Sequence, residues 1–290
     1  MKFKGRRQSS NISDRRGNGG GFPMGGGGLG LGGLILVILF ALFSGGDIGG
    51  ILGEGSSNQV TPTQQSQEQN VSVEQQKDEL YEFTSVVLAD TEDVWGKLFQ
   101  KLGRSYTPPN TVVYSGSTQS GCGFASAQVG PFYCPADQTV YLDLSFYNDL
   151  HKKFGASGDF AFAYVIAHEV GHHVQRELGV LGQVQKVQQQ MSKEKANEWN
   201  VALELQADYL AGVVARYQDE SGYLEQGDIE EAIRATHAVG DDTIQKRSQG
   251  YVVPDSFTHG TAQQRQEWYE KGYKAGGLDD WDSFTDLGLQ

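Results

Sequence analysis

An apolar segment that carries two histidines and a glutamate constrains the fold of this chain more than any other feature. Residues 160–170 contain neither Gly nor Pro and are rich in aromatic and aliphatic side chains, which predicts a helix in the protein interior. The segment leads into the motif His168-Glu169-Val170-Gly171-His172. Burying these polar groups costs free energy unless a metal ion or hydrogen bonds compensate. Other segments must therefore supply their partners.

The spacing of the two histidines favours a metal site. On a helix, His168 and His172 lie four positions apart and project from one face, so both imidazoles can bind a single Zn²⁺. Glu169 then lies beside a water molecule bound to the same ion and can act as its general base. The alternative is a buried helix whose polar side chains are satisfied by neighbouring residues.

A catalytic zinc site needs a third protein ligand and keeps its fourth position open. The best candidate is Glu204, which lies 32 residues after His172. Asp208 follows one helical turn later on the same face, where it can accept a hydrogen bond from the ring N–H of a ligating histidine. Both acids could instead lie on a solvated face, but their small and apolar neighbours favour a helix packed against another.

Three further histidines are weaker candidates for the metal. His173 points about 100° away from His172 around the helix, which favours a supporting or surface position. His237 lies in a later predicted helix. His259 is the next choice as ligand if Glu204 does not bind.

The first 52 residues differ from the rest in charge and hydropathy. Residues 1–28 carry six Lys and Arg against one acid, whereas the whole chain has a net charge of −13. The acidic remainder disfavours binding to nucleic acid. Residues 29–44 are apolar and would span about 24 Å as a helix, and the run continues to residue 52 with one charge, which suits a bilayer core of ~30 Å.

We therefore predict a single-pass anchor at residues 29–52 in the inner membrane. The basic, Gly-rich leader at residues 1–28 would stay in the cytoplasm, and residues 53–78 would form a flexible Gln- and Ser-rich linker. Residues 79–290 would form a periplasmic domain. A cleaved signal peptide is the rival interpretation of the apolar run, and an ordinary core helix is a third.

The two cysteines fit an oxidising compartment. Cys122 and Cys134 lie twelve residues apart in a segment rich in Gly and Pro, and they can close a disulfide. Zinc thiolates are a less suitable alternative because the spacing is not that of a zinc knuckle, and free thiols are the third possibility.

The remaining pattern predicts a helix-rich α+β domain without internal repeats. Apolar residues recur at helical spacing over residues 79–103, with a possible break at residues 90–92, and short strands are expected at residues 111–114 and 139–142, flanking the cysteine loop. The motif helix is expected at residues 159–178. Further helices are predicted at residues 180–192, 194–217, 226–238 and 262–272.

Taken together, the motifs resemble those of the gluzincin metallopeptidases, in which a downstream glutamate completes the zinc site. The closer resemblance covers most of the chain and is to the bacterial neutral zinc metallopeptidases, which are single-span envelope proteins. It rests on the basic leader, the apolar run, the two cysteine segments, HEVGHH, ELQADYLAG and Thr258-His259-Gly260 with Gln264-Arg265. The resemblance implies a zincin-like domain with zinc ligands His168, His172 and Glu204 and a catalytic Glu169.

The expected chemistry is metal-assisted hydrolysis of an amide through a zinc-bound water, with Glu169 as general base. The tetrahedral oxyanion needs a second donor, for which His259 and Tyr141 are candidates. In the related membrane peptidases a downstream arginine lies near the site, so Arg265 is expected to pair with Asp208. A substrate could add as an extra strand at residues 140–144.

Two functional hypotheses follow. The first is a membrane-anchored zinc endopeptidase that acts on envelope proteins or peptides, with cell-wall peptide cross-links as an alternative substrate. The second is a non-catalytic zinc-binding envelope protein with a role in assembly or interaction. Glu169 favours the first, because a purely structural site needs no base beside its ligands. The sequence does not indicate the oligomeric state.

Overall fold

The computed structural model describes residues 1–16, 67–126 and 129–289, with side chains of the first helix described from residue 78 onward. The predicted anchor at residues 29–52 lies outside these residues. Within them, no helix combines the length and the apolar character that a membrane crossing requires. Residues 67–78 are helical, so the expectation of a flexible linker is wrong for that part of residues 53–78.

Helices dominate the described part of the chain, and the helix-rich α+β class predicted from the sequence is confirmed. The strands are β1 (Ile12–Asp14), β2 (Asn110–Tyr114), β3 (Ser117–Ser120), β4 (Gly123–Ser126), β5 (Phe132–Cys134) and β6 (Thr139–Asp143). The helices are α1 (Gln67–Lys101), α2 (Phe146–Lys152), α3 (Asp159–Glu177), α4 (Val180–Gln188), α5 (Lys193–Glu220), α6 (Asp228–Ala238), α7 (Asp241–Gln249), α8 (Ala262–Ala275) and α9 (Ser283–Asp286), with a 3₁₀ turn at Pro254–Ser256.

The four-stranded sheet has the order β1-β2-β6-β5. β1 and β2 are parallel, β2 and β6 are parallel, and β5 is antiparallel to β6. Strands β3 and β4 form a separate antiparallel hairpin. Strand β2 pairs with β6 over residues 139–143, and β5 pairs with the other edge of β6 at residues 139–141. The expectation that a substrate adds as a strand is therefore wrong at residues 140 and 141, where both edges are paired, and it stays a prediction for residues 142–144.

Residues 1–16 pack on the domain and contribute the edge strand β1 to its sheet. Their basic side chains form ion pairs with acids of α1. Arg6 pairs with Asp90, and Arg7 lies 2.8 Å from a carboxylate oxygen of Glu92. The charges that indicated a separate leader thus hold this segment on the domain. The expectation of a leader separate from the domain is therefore wrong for residues 1–16.

The motif helix α3 lies at the centre of the fold, where it packs against α1, α5 and α6. Its aromatic and aliphatic side chains are almost all buried. Gly171 lies at the crossing with α5, where an added β-carbon would come within 3.2 Å of the carbonyl oxygen of Ala207. A larger residue would push the helices apart, so Gly171 sets the distance between the motif histidines and the helix that carries Glu204.

Helices α5 and α8 approach each other with their backbones in direct contact. An added β-carbon at Gly212 would lie 2.0 Å from the carbonyl oxygen of Tyr269, and one at Gly272 would lie 1.9 Å from that of Tyr209. Only glycine allows this approach. The contact fixes α8, the helix that carries Arg265, against α5.

Candidate metal centre

Three side chains from α3 and α5 converge in the middle of the domain. His168 Nε2 lies 3.1 Å from Glu204 Oε2, and His172 Nε2 lies 3.4 Å from Glu204 Oε1. Donors at about 2.0–2.1 Å from a tetrahedral zinc ion lie ~3.3 Å from one another. The residues that the sequence predicted as ligands therefore have the spacing and the donor chemistry that zinc requires.

Asp208 orients His168. The Asp208 carboxylate is fully buried one turn after Glu204, and its Oδ1 lies 2.8 Å from His168 Nδ1. This hydrogen bond places a proton on Nδ1 and directs Nε2 toward Glu204, where it donates a hydrogen bond when protonated and can bind a metal when deprotonated. Burial alone would lower the pKa of His168, but the charges and hydrogen bonds of Asp208 and Glu204 raise it to about 10. The position between the two carboxylates thus strongly favours a cation, whether a proton or a metal.

Arg265 and Tyr164 hold the carboxylate of Asp208 from the other side. Arg265 Nε donates to Oδ2 at 2.7 Å, and its Nη2 donates to Oδ1 at 3.0 Å. The Tyr164 hydroxyl donates to Oδ1 at 2.6 Å. Burial raises the pKa of Asp208, but the charges of Arg265 and His168 outweigh it and lower the pKa. Asp208 is therefore ionised, and the structure brings it together with Arg265.

Gln175 orients His172 through its Nδ1, as Asp208 orients His168. Its Oε1 lies 2.9 Å from His172 Nδ1, while its Nε2 donates to the backbone carbonyl of Leu203 at 2.7 Å and to Gln206 Oε1 at 3.1 Å. The sequence analysis missed both Gln175 and Tyr164. Helical spacing offered a signal, because Gln175 follows His172 by three positions and Tyr164 precedes His168 by four.

Glu169 lies on α3 next to the first ligand and keeps its carboxylate free. Its side chain is partly exposed, and it forms no hydrogen bond or ion pair with another residue in the part of the chain that the structure describes. A carboxylate in this position can accept a proton from a water molecule at the centre.

His259 lies on the loop before α8 and is buried. Asp241 Oδ2 accepts backbone N–H hydrogen bonds from Thr258, His259 and Gly260 at 2.7, 2.7 and 3.2 Å, and Asp241 Oδ1 lies 3.4 Å from His259 Nδ1. Burial lowers the pKa of His259, but the charge of Glu204 and the contact with Asp241 outweigh it and raise the pKa. Asp241 thus positions a basic imidazole near Glu204, a role that the sequence analysis missed.

Tyr141, the other candidate for the oxyanion donor, is a packing residue. Its hydroxyl donates to Asp137 at 2.7 Å, and its ring stacks on Phe132 with the centroids 4.9 Å apart. These contacts are within the sheet and its hydrophobic cluster. The expectation that Tyr141 stabilises an oxyanion is therefore wrong.

Two other histidines contribute no ligand to the centre. His173 is buried and turned away, with Nδ1 3.0 Å from the Tyr133 hydroxyl and Nε2 2.7 Å from the Thr107 carbonyl oxygen. Because both ring nitrogens are occupied, His173 is a structural residue. His237 is exposed on α6.

The predicted disulfide between Cys122 and Cys134 is confirmed, with the Cα atoms 5.8 Å apart. It ties the turn between β3 and β4 to the end of β5. The residue before Cys134 is Tyr133, which bonds to His173 of α3. The disulfide therefore braces a strand that contacts the motif helix directly.

A second group of possible ligands lies at the other end of α3. Oxygen atoms of Asp159, Asp228 and Glu231 lie within 4.8 Å of one another. The α-amino nitrogen of Met1 lies 2.7 Å from Asp159 Oδ1 and 3.4 Å from Asp228 Oδ2. Burial lowers the pKa of this amine, but the hydrogen bond and charge of Asp159, with those of Asp228, raise it. An ammonium group thus occupies this acidic cluster and offsets one of its charges.

Two imidazoles and a carboxylate, with a free glutamate on the same helical motif, define a zinc peptidase type of site in a helix-rich α+β domain. The chain belongs to the family described as "Putative neutral zinc metallopeptidase", whose model matches residues 1–284. The family implies zinc as the metal, and the resemblance found in the sequence is confirmed.

Curated relatives extend this result. The chain is 50% identical over 282 residues to the uncharacterized protein YpfJ of Escherichia coli (strain K12), which covers 95% of this chain and 96% of that protein. It is 46% identical over 196 residues to the uncharacterized protein Rv2575 of Mycobacterium tuberculosis (strain ATCC 25618 / H37Rv), covering 63% of this chain and 65% of that protein. No solved structure matches the chain.

Proposed function

We propose that this protein is a zinc-dependent endopeptidase that hydrolyses peptide bonds with Glu169 as general base. One observation carries the proposal, the convergence of three protein ligands beside a carboxylate that has no other partner among the described residues. Structural zinc sites are closed by four protein ligands, whereas catalytic sites have three. The set His168, His172 and Glu204 leaves one position for water or substrate.

The surrounding residues supply the proton transfers. Bound zinc would supply the positive charge that polarises a substrate carbonyl and makes water more acidic. Glu169 takes the proton of the attacking water and delivers it to the leaving amine. His259 donates from Nε2 to the oxyanion that develops on the substrate carbonyl. Thr258 Oγ1 lies 2.8 Å from Nδ1 of that ring and Asp241 Oδ1 lies 3.4 Å from it, so Nδ1 is occupied and Nε2 is left for the substrate.

The test compares zinc content and peptide cleavage in the full chain and in Glu169→Gln. We expect equal zinc stoichiometry and a loss of about 10³-fold in kcat/KM in the variant. Glu267→Gln, which removes an exposed carboxylate on α8, is the matched control and should retain activity. Stoichiometric zinc without cleavage by the unmutated chain would instead favour a non-catalytic zinc-binding envelope protein.

We also propose that residues 29–52 attach the domain to the inner membrane on its periplasmic side. Their apolar character and the disulfide, which persists in oxidising compartments, support this location. Residues 1–16 contact the domain, so both lie on the same side of the membrane, in place of the cytoplasmic position expected for residues 1–16 from their charge. Residues 29–52 would then attach to the membrane from the periplasmic side without the single crossing expected from the sequence.

Cysteine labelling tests this arrangement. Ser10→Cys introduces a thiol at an exposed position of the N-terminal segment, and Ser221→Cys does so in the domain. We expect a membrane-impermeant maleimide to label both in spheroplasts. Labelling of Ser221→Cys alone, with Ser10→Cys reacting only after lysis, would show that the segment lies in the cytoplasm.

A further inference from the structure

We infer that a cavity next to the metal centre binds a long cationic side chain, that of Arg or Lys, on a peptide bound at the centre. The cavity has a volume of about 270 Å³, slightly below the range of about 300–1,000 Å³ of sites that hold whole small molecules. Its size suits a single side chain. This inference rests on the proposed function, because it concerns the peptide that the centre would cleave.

The cavity begins one helical turn from the metal centre. Asn197 and Val201 line it from α5, and Glu204 follows Val201 by three positions. Residues spaced by four and three positions lie on one helical face. Val201 and Glu204 are therefore about 4.5 Å apart along the helix axis, a distance comparable to that between neighbouring residues of an extended peptide.

The loop that carries His259 forms the opposite wall. Phe257 lines the cavity two residues before His259. Gly260 packs against α5, since an added β-carbon there would lie 3.2 Å from Val201 Cγ1 and 3.3 Å from Gln264 Oε1. Val201 and Gln264 both line the cavity. The cavity and the centre thus share α5 and this loop, which makes them neighbouring parts of one cleft.

The walls and the rim of the cavity differ in chemistry. Its apolar walls come from Val201, Pro254, Phe257, Leu287 and Leu289. The acids Glu194, Glu198 and Asp255 also line it and are exposed. Among the described residues that line the cavity, none is Lys, Arg or His. Neither Glu198 nor Asp255 forms an ion pair with any residue in the described ranges.

This combination matches the structure of a long basic side chain. Arg and Lys place an aliphatic stem against apolar surface and keep the charged end in a polar environment. A stem between Val201 and Phe257 would bring the charged end to the acidic rim. Because Glu198 and Asp255 are exposed, each contributes modestly. We expect them together to give about fivefold tighter binding of a cationic peptide than of a neutral one of the same length.

Peptide binding to the full chain with zinc and Glu169→Gln, which stops cleavage, provides the test. The probes are fluorescent alanine-rich peptides with one varied residue, Arg, Lys, norleucine or Glu, and the readout is anisotropy. We expect Arg and Lys peptides to bind about fivefold more tightly than the norleucine peptide, and the Glu peptide to bind most weakly. The preference should weaken as salt increases.

Substitution of the exposed acids Glu198 and Asp255 tests whether the cavity causes the preference for cationic peptides. With Glu198→Gln and Asp255→Asn added, the preference for Arg over norleucine should fall below about twofold while norleucine binding is unchanged, an outcome that a damaged fold would not produce. Glu230→Gln, which changes an exposed acid on α6, should leave the preference intact.

Three results would overturn the inference: equal binding of Arg and norleucine peptides, absence of peptide binding, or a preference that survives the double substitution. If the zinc-loaded unmutated chain binds the Arg peptide with this preference but does not cleave it, the proposed function fails and the cavity assignment stands.

Discussion

The two ends of the motif helix α3 both gather three side chains that can bind a metal, yet they differ in whether a cation of the chain already lies among them. At the N-terminal end, the acids Asp159, Asp228 and Glu231 surround the α-amino group of Met1. In the other group, formed by His168 and His172 with Glu204 from α5, no Lys, Arg or α-amino nitrogen of the described residues lies at hydrogen-bonding distance from Glu204. The first cluster therefore holds a cation of the chain itself, whereas the second leaves its donors free for a bound cation.

The arrangement behind the ligands explains this difference. Arg265 approaches Glu204 only to 3.9 Å but pairs with Asp208 at 2.7 Å. The guanidinium charge is therefore used to hold the carboxylate that orients His168. Once zinc has displaced the proton of His168, Glu204 and the two Nε2 atoms are available as one negatively charged and two neutral donors. Proximity of possible ligands does not by itself make a metal site; the neighbours must leave the donors free.

Removal of Glu204 should have the largest effect on this contrast. Glu204→Ala deletes the one anionic donor of the centre, and we expect zinc affinity to fall by more than about 100-fold, beyond the loss typical of residues that support ligands indirectly. Competition with a chromophoric chelator measures this. Asp228→Ala, at the other end of α3, should retain the zinc affinity of the unmutated chain. Equal losses in both variants would show that α3 is disrupted as a whole and that Glu204 has no special role.

Asp208→Asn should lower the zinc affinity less than Glu204→Ala does, because it keeps all three ligands. The amide has the shape of the carboxylate but lacks its charge, so it supports His168 Nδ1 less well. We expect a 10- to 100-fold loss of zinc affinity. Arg265 would also be left buried without its counter-ion, which we expect to cost about 3–5 kcal/mol in the free energy of unfolding. Chelator competition and urea unfolding separate the two effects, and unchanged zinc affinity would rule out the orienting role of Asp208.

The ligand set was predictable because helical geometry is local. His168 and His172 must share a face wherever their helix lies, and Glu204 follows from the need for a third ligand in a second apolar helix. Asp241 was not predictable in the same way. It lies at the start of α7, a polar helix without apolar periodicity, and it acts on backbone groups 17 to 19 residues later. A loop that folds back onto a carboxylate leaves no periodic signal in a sequence.

The fold, like the site, has elements that the sequence predicts and elements that depend on tertiary contacts. The long helices α3, α5 and α8 follow from their apolar spacing, and their predicted bounds lie close to those observed. Strand β1 has only three residues and pairs with β2 almost 100 positions later. The basic residues around β1 indicated a segment outside the domain, since a positive segment before an apolar run is typical of a cytoplasmic leader. The ion pairs with α1 depend on tertiary structure and could not be read from composition.

The metal centre should also differ from the acidic cluster in the pH dependence of its cation binding, because zinc competes with a proton on His168. In the metal-free protein the pKa of His168 is raised to about 10 from an ordinary value of 6.5. The protonated ring therefore stabilises the metal-free fold fully below pH 6.5, and this stabilisation is lost as the pH rises to about 10. Zinc must displace that proton, so its affinity should rise about tenfold per pH unit within this window. Chelator competition between pH 6.5 and 8.5 measures the slope, and Asp208→Asn should flatten it. A zinc affinity independent of pH would contradict the assignment of His168 as a ligand.

The smallest effect is expected at the acidic end of α3. Asp228→Asn removes one of the charges around the Met1 amine, and we expect a loss of about 1 kcal/mol in the free energy of unfolding with zinc affinity unchanged.

Because the pKa of the Met1 amine is raised, this loss of stability should depend on pH. An amine whose folded pKa exceeds 8.0 stabilises the fold fully below pH 8, and the stabilisation disappears as the pH rises through the folded value. The difference in stability between the unmutated chain and Asp228→Asn should therefore be constant near neutral pH and narrow above pH 8. A difference that stays constant to high pH would mean that Asp228 acts through its hydrogen bond to the backbone of Glu225, and the two ends of α3 would then differ in more than their cations.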